Sequence, residues 1–398
     1  VWKGRFAVNI GLFTDTYCPQ VSGVATSIKT LRDQLEKQGH QVYIFTTTDP
    51  KVDTNVYERN IFRFTSVPFV SFTDRRIAVS GFIRAAQLAK ELNLDIVHTQ
   101  TEFSLGWMGK FVAKSLKIPL IHTYHTMYED YLHYVANGKL LKPYHVKQMT
   151  RAFCYHIDGI VAPSERVLDT IEGYGINVPI RVIPTGVNLE QYQKPNKRKQ
   201  WREKLGYDES SPILLSLSRL AYEKNIQEVI DSFPAILKEV PNAQLLIVGD
   251  GPARASLENQ VHDLHLEDSV QFTGEINNDH VYGFYQLADL FVSASDTESQ
   301  GLTYIEALAS NLKVVAKSGP YTDELLDDIS LGKVFNTEDQ LVAAIKDYIE
   351  HPDAYNDPAP REKKLYEISA DYFGKQVVDY YSSAISTHTD LELDEDSE

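Results

Sequence analysis

The sequence predicts an α/β protein built from two Rossmann-like, doubly wound parallel-sheet domains, and three observations predict it. The chain has 398 residues, more than a single hydrophobic core usually serves. Short β-branched and aromatic runs alternate with amphipathic stretches along its length, the pattern of parallel strands joined by helical crossovers. Near the middle, the polar run Lys194-Pro195-Asn196-Lys197-Arg198-Lys199-Gln200 interrupts the alternation, which then restarts.

Before the break, strands are expected at 8–13, 41–46, 61–64, 95–98, 120–123, 159–162 and 181–183, with helices such as 22–38, 80–92 and 106–116 between them. After it, strands are expected at 213–218, 244–248, 270–273, 290–293 and 313–316, joined by helices near 226–239, 253–262, 279–287 and 302–310. The expected organisation is a first domain over 1–190 and a second over 191–365. A Tyr- and Phe-rich helix over 366–388 returns to the first domain, and 389–398 form an acidic, disordered tail. Ligands of doubly wound sheets sit beyond the carboxyl ends of the strands, so a cleft between the two domains is the expected active site.

Composition narrows the function classes. An apolar fraction of 43% beside 24% charged residues is that of a soluble globular protein. No run approaches the ~18 apolar residues of a membrane span, and Val1-Trp2-Lys3-Gly4-Arg5 is not an apolar signal region. Cys18 and Cys154 are the only cysteines and lack metal-like spacing, which argues against a disulfide framework or a zinc site and fits a reducing cytosol. The net charge of −16 is unevenly divided: residues 1–190 carry 21 Lys and Arg against 17 Asp and Glu, residues 191–398 carry 18 against 38. A basic half suggests an anionic partner for the first lobe.

The residues that carry chemistry cluster at strand ends. In Thr297-Glu298-Ser299-Gln300-Gly301-Leu302-Thr303-Tyr304-Ile305-Glu306, a polar loop follows a strand and Gly301 opens a helix. The first-turn N–H groups at Gly301, Leu302 and Thr303 form an anion site at the positive end of the helix dipole. Glu298 in the loop and Glu306 in the helix are acceptors for the hydroxyls of one ligand. Gly23, after strand one and opening a helix with Val24, lets backbone approach a phosphate. Arg219 and Lys224, just past the first strand of the second lobe, suit a diphosphate leaving group. His125 follows the strand at 120–123, whereas His98 and His122 read as packing residues. Glu102 and Asp130 are candidates for an acceptor hydroxyl, and Asp15 equally for a helix cap. GxGxxG and the Walker lysine are both missing, which counts against NAD and ATP.

Together these motifs resemble the retaining glycosyltransferases of family 4, which have the GT-B fold of two Rossmann-like domains with an interdomain cleft. Glu298 and Glu306 match their E-x7-E element, and Val21-Ser22-Gly23-Val24 their glycine loop. Ser218-Arg219-Leu220 with Glu223-Lys224-Asn225 match their basic pair, and Val248-Gly249-Asp250-Gly251-Pro252 and Ile183-Pro184-Thr185-Gly186-Val187-Asn188 further landmarks, all in order. The resemblance implies a UDP-sugar donor as substrate, no permanently bound cofactor and no required metal. It implies that Gly23, Val24, Arg219, Lys224, Gly249, Glu298, Gly301, Leu302, Thr303 and Glu306 bind the donor, with Glu298 on the sugar and Glu306 on the ribose. The catalytic residues it implies are His125, which touches the donor sugar, with Glu298, Arg219 and Lys224. The sequence departs from the family where Asn311 and Lys313 replace the usual Gly and Pro, and where Ser318-Gly319-Pro320-Tyr321 replaces a double Gly.

Cations mix with aromatics in the first lobe. Trp107, Lys110, Lys114 and Lys117 fall on one helical face, Arg75, Arg76 and Arg84 follow aromatic residues, and Lys139, Lys142, Lys147 and Arg151 lie among Tyr128, Tyr131, Tyr134 and Tyr144. Such a surface suits an anionic leaflet; no stacking-platform motif for nucleic acid is present. The runs 13–24 and 125–131 are most similar to the diacylglycerol glucosyltransferases of Gram-positive bacteria. That similarity implies α-linked transfer of glucose from UDP-glucose to diacylglycerol by a cytoplasmic enzyme, peripheral on the inner face of the cell membrane. The alternatives are a soluble glycosyltransferase for a sugar or glycan, a non-catalytic nucleotide-sugar-binding protein, and, more distantly, a nucleotide-sugar epimerase. Oligomeric state is not legible in the sequence.

Overall fold

The computed structural model describes residues 7–20, 22–53, 55–69, 72–127, 142–192, 194–295, 297–298 and 300–395. In chain order the first elements are β1 (Asn9–Phe13), α1 (Gly23–Lys37), β2 (Gln41–Thr47), β3 (Ile61–Phe64), β4 (Ser66–Phe69), β5 (Phe72–Ala78), α2 (Phe82–Glu91), β6 (Ile96–Thr99), α3 (Ser104–Leu116), β7 (Leu120–Thr123), α4 (Pro143–Cys154), β8 (Gly159–Ala162), α5 (Glu165–Gly173) and β9 (Ile180–Val182). There follow α6 (Leu189–Tyr192), α7 (Arg198–Leu205), β10 (Ile213–Leu217), α8 (Ile226–Glu239), β11 (Gln244–Val248), α9 (Arg254–Asp263), β12 (Val270–Phe272), α10 (Asn278–Leu287), β13 (Leu290–Ser293), α11 (Leu302–Ala309), β14 (Lys313–Lys317), α12 (Pro320–Leu325), β15 (Gly332–Phe335), α13 (Glu338–Glu350), α14 (Pro358–Glu367) and α15 (Ala370–Glu395). The chain forms two compact units, Val1–Gly186 with Ala370–Glu398, and Val187–Ser369.

The first unit holds a seven-stranded parallel sheet in the order β3-β2-β1-β6-β7-β8-β9. Its strands alternate apolar residues between two covered faces. Ile10, Leu12, Val42 and Ile44 point toward α1 and α15, whereas Phe13, Phe45 and Val97 join the cluster formed with α2, α3 and α4. Burial on both faces is what a parallel sheet requires. The second unit repeats the design with six parallel strands, β12-β11-β10-β13-β14-β15. Here Leu245 and Ile247 face one cluster and Leu246 and Val248 the other. Each fully buried aliphatic side chain of this kind contributes about 1.5–3 kcal/mol.

Arg202, on α7, is the polar counterpart of that core. Its buried guanidinium donates to Leu287 O at 2.9 Å, to three carbonyls of the 208–211 turn, and to Asp289 Oδ2 at 2.7 Å. The same carboxylate oxygen accepts from Ile213 N, so α7 is fastened to the start of β10.

Several expectations require correction. The stretch around Arg75 and Arg76 forms an antiparallel hairpin, β4–β5; Pro68 and its cations hid the alternation. Strand β15 was not foreseen because it is four residues long and opens on glycine, where a Cβ would lie 2.1 Å from Val314 O. The C-terminal helix begins at Ala370, after a bridge between Val187 and Ser369. It continues to Glu395 through residues read as a disordered tail, since extending a packed helix costs little once its nucleus exists. That helix also revises the charge argument. The segment 370–398 carries one Lys against eight Asp and Glu, which brings the first unit to 22 basic against 24 acidic residues. The first unit is therefore not net basic.

Candidate active site

In each unit the chemistry-bearing residues lie past the carboxyl ends of the strands at which the sheet order reverses, β1 and β6 in the first and β10 and β13 in the second, or of a strand beside them, as His125 after β7 and Gly249 after β11. In the second unit, Arg219 follows β10 and is exposed. Lys224 ends a 3-10 turn over Tyr222–Lys224, and its Nζ lies 2.6 Å from Glu298 Oε1, both side chains being partly buried. Thr297 Oγ1 donates to Glu223 O at 3.2 Å, which ties the loop after β13 to that turn. Gly301 caps α11; a Cβ there would lie 2.0 Å from the Tyr304 ring, so glycine is what lets the helix start this tightly. Leu302 and Thr303 supply first-turn N–H groups without intrahelical acceptors. Gly249 has φ of +135° and no room for a Cβ, which would sit 1.9 Å from Ser218 O.

Glu306 is 9% exposed. Tyr285, on α10, donates to its Oε2 at 2.7 Å, and the Tyr192 hydroxyl of α6 is a second hydrogen-bonding partner. Burial pushes the Glu306 carboxyl up to about 7, against the opposing pull of the two hydroxyls. Neither tyrosine was singled out from sequence; they are remote along the chain, and tertiary packing assembles the trio.

In the first unit, Gly23 and Val24 open α1, whose cap Ser22 accepts from Ala25 N at 3.1 Å. Asp15 is buried and serves as a helix cap, though of α3 and not of the following segment. It accepts from Thr101 Oγ1 at 2.6 Å, from Leu105 N at 3.1 Å and from Ser104 Oγ. His98 is buried between Tyr381 OH at 2.6 Å and Thr123 Oγ1 at 2.7 Å. His122 bridges Thr99 Oγ1 at 2.9 Å and Glu102 Oε1 at 3.2 Å, so Glu102 is engaged within the sheet end. His125 Nε2 lies 2.7 Å from Gln100 Oε1. Burial, with a smaller contribution from His122, pushes the His125 imidazolium down to about 3, so the ring is neutral. Gln100 was not singled out from sequence, although its place directly after β6, at the reversal of strand order, was a usable signal.

The proposed acceptor-side residues separate. Asp130 lies outside the described residues, as do Tyr128, Tyr131, Tyr134 and Lys139; for Arg75 only the strand position is described. Arg76 is turned onto its own hairpin, with Nε donating to Ser66 Oγ at 2.8 Å and Nη2 to Ser66 O at 2.7 Å. Lys110 caps the end of α4, donating to Phe153 O at 2.6 Å and to Tyr155 O, with its ammonium over the Trp107 ring. Lys117 is not on the helical face: α3 ends at Leu116 and Lys117 adopts φ of 52° just ahead of Pro119, where a helix cannot continue. What remains is more apolar than basic. Trp107 (44% exposed) and Phe111 (42%) lie one turn apart on α3, Phe82 of α2 packs edge-on against Phe111, and Ile83 is 72% exposed, with Lys114 nearby on α3.

No group of three or more His, Cys, Asp or Glu side chains gathers for a metal among the described residues. No helix among them is long and apolar enough to cross a membrane.

Each unit carries a doubly wound parallel sheet with its candidate residues at the strand ends, the architecture of the GT-B glycosyltransferases. Two family models match accordingly, Glycosyltransferase Family 4 over residues 21–191 and Glycosyl transferases group 1 over residues 197–365. The chain belongs to these glycosyltransferases and is a hexosyltransferase. It is 49% identical over 383 residues to the alpha-monoglucosyldiacylglycerol synthase of Streptococcus pneumoniae, covering 95% of this chain and 86% of that one. To the alpha-monoglucosyldiacylglycerol synthase of Acholeplasma laidlawii it is 31% identical over 398 residues, covering 96% and 97%. Among solved structures, sucrose-phosphate synthase from Thermosynechococcus elongatus superposes with a TM-score of 0.74 at 20% identity, covering 96% of this chain and 100% of that one. HepE of Anabaena, solved in complex with UDP, gives 0.73 at 17% identity, covering 94% and 100%. These two share the GT-B fold with the chain.

Proposed function

We propose that this hexosyltransferase moves glucose from UDP-glucose to the hydroxyl of diacylglycerol with retention, forming α-monoglucosyldiacylglycerol on an anionic membrane surface at the inner face of the cell membrane. The observation that carries the reading is the 49% identity over 95% of the chain to the Streptococcus synthase. In the proposed reaction the bond from the anomeric carbon to the β-phosphate oxygen breaks, and the acceptor oxygen bonds to that carbon from the same face. The acceptor proton passes to the departing diphosphate, which leaves as UDP.

Arg219, Lys224 and the first turn of α11 neutralise the charge that grows on the diphosphate, the role a metal plays elsewhere. Gly23 and Val24, at the start of α1, offer backbone N–H groups suited to a phosphate. Glu298 accepts from a sugar hydroxyl and Glu306 from the ribose, while neutral His125 contacts the sugar. The Lys224–Glu298 pair places a cation and an acceptor one hydrogen bond apart, which suits a ligand that carries both a phosphate and a sugar hydroxyl. Trp107, Phe111, Phe82 and Ile83 give the first unit an apolar contact for a leaflet, and Lys114 and Arg84 add attraction of about 1 kcal/mol each near an anionic surface.

A panel of nucleotide sugars incubated with diacylglycerol in phosphatidylglycerol-containing vesicles, read by mass detection of product, tests this. Glucosyl-diacylglycerol formed from UDP-glucose, falling with added salt, is expected. Turnover with soluble sugars and none with any lipid contradicts it.

A further inference from the structure

Gln100 follows β6 directly, and its backbone N–H donates to Phe13 O at 2.8 Å, so the strand pairing fixes where its side chain begins. The residue is 2% exposed. Its two amide atoms are used unequally. Oε1 meets His125 Nε2 at 2.7 Å, and since a carbonyl oxygen only accepts, that ring nitrogen carries the hydrogen and Nδ1 the lone pair. The amide nitrogen is buried with no hydrogen-bond partner among the described residues. An unmade hydrogen bond of this kind is costly, and folded interiors rarely retain one without a use. Reversing the amide would relieve nothing, because the oxygen would then be the unpaired atom at the same spot. Among the described residues the site therefore has one polar function to spare, at the end of β6 and beside a neutral histidine that follows the neighbouring strand β7.

We propose that Gln100 is a binding and positioning residue: its Oε1 fixes the Nε2–H tautomer of His125, and its Nε2 donates a hydrogen bond to a hydroxyl oxygen of the sugar being transferred. This rests on the reading of His125 as a sugar contact, given above. It adds a ligand from a residue type that supplies both an acceptor and a donor, which no Asp, Glu or Leu at this position can do. The neutral state of His125 is what makes the choice of tautomer consequential, since an imidazolium would donate from both nitrogens.

The test uses the full chain labelled with 15N-histidine, with His125→Asn to assign the ring signals, alongside donor affinity measured by calorimetry with UDP-glucose. In the wild type, His125 shows a protonated Nε2 and an unprotonated Nδ1 between pH 5 and pH 8. Gln100→Leu loses this preference and weakens donor binding about tenfold, which is one hydrogen bond of about 1.4 kcal/mol. Gln100→Glu keeps the acceptor but loses the donor. It weakens donor binding similarly and brings the His125 titration up into the measured range, because a carboxylate beside the ring favours the imidazolium. A role limited to holding His125 moves the ring-nitrogen signals and the titration but leaves the donor affinity of Gln100→Glu unchanged. If Gln100→Leu does not fold, Gln100→Glu decides the question alone. A wild-type Nδ1–H tautomer, or donor affinity within twofold of wild type in Gln100→Glu, overturns the proposal. An unchanged donor affinity in His125→Asn instead removes the sugar contact of His125, and the ring-nitrogen spectrum still reports on Gln100 separately.

Discussion

At Glu306 the carboxylate of a recognisable motif is held in an environment that no motif describes. Its spacing from Glu298 was readable, because both flank one helix start; its tyrosine partners were not, because Tyr192 and Tyr285 come from other helices. The raised carboxyl has two consequences. The folded protein keeps the proton to about pH 7 whereas the unfolded chain releases it near 4.5, so folding stability declines as pH rises between those values and stays lower above them. Glu306→Gln removes that decline and gains up to about 3 kcal/mol over wild type at pH 8, with no gain at pH 4.5, in chemical denaturation at the two pH values. With Glu306 as the proposed ribose ligand, the same substitution abolishes the fall in donor KM that wild type is expected to show from pH 6 to pH 8 as that carboxyl ionises. The lysine cap at Lys110 shows the opposite limit of residue-level reading. Its spacing from Trp107 was correct, yet its ammonium is engaged by the carbonyls that end α4, and sequence does not reveal which helix end lies within reach.

Among the elements, central strands were legible because both of their faces are buried and their apolar runs are bounded by turns; β7, β8, β11 and β13 lie where the pattern puts them, and so does the edge strand β3 with its aromatic run. Strands β4, β5 and β15 were not, being edge or hairpin strands with Pro, Gly or cations in place of the pattern. The long C-terminal helix α15 was legible as a helix and misjudged at both ends. It packs on α1 and against the sheet through Tyr380, whose hydroxyl donates to Pro179 O at 2.7 Å and occupies the space a side chain at Gly159 would need. Tyr381 reaches His98, which holds Thr123 at the end of β7, two residues before His125. Tyr381→Phe leaves buried His98 short of one partner and is expected to cost about 1–3 kcal/mol in thermal or urea denaturation. It should also lower kcat severalfold through the shifted end of β7. An unchanged melting temperature would show that this hydrogen bond does not hold the strand.

For the whole molecule, the two-domain organisation followed from length and from the interrupted alternation, and the residues of the second unit's strand ends from their motif. The charge argument failed at this scale because it was drawn along the chain. The acidic segment 370–398 belongs to the first unit and cancels its excess of cations, so any attraction to an anionic surface must come from a local patch, such as the one around Trp107, Phe111 and Lys114. Apolar exposure, and not net charge, is then the property that distinguishes this unit. The claim that joins all scales is retaining glucosyl transfer to lipid. Its most direct measurement is the proton NMR spectrum of the product formed from UDP-glucose and diacylglycerol vesicles, run beside Glu298→Ala. The account predicts a single glucosyl-diacylglycerol with the small anomeric coupling of an α-linkage, and little or none of it from the variant. A β-linked product, or equal product from Glu298→Ala, would contradict it.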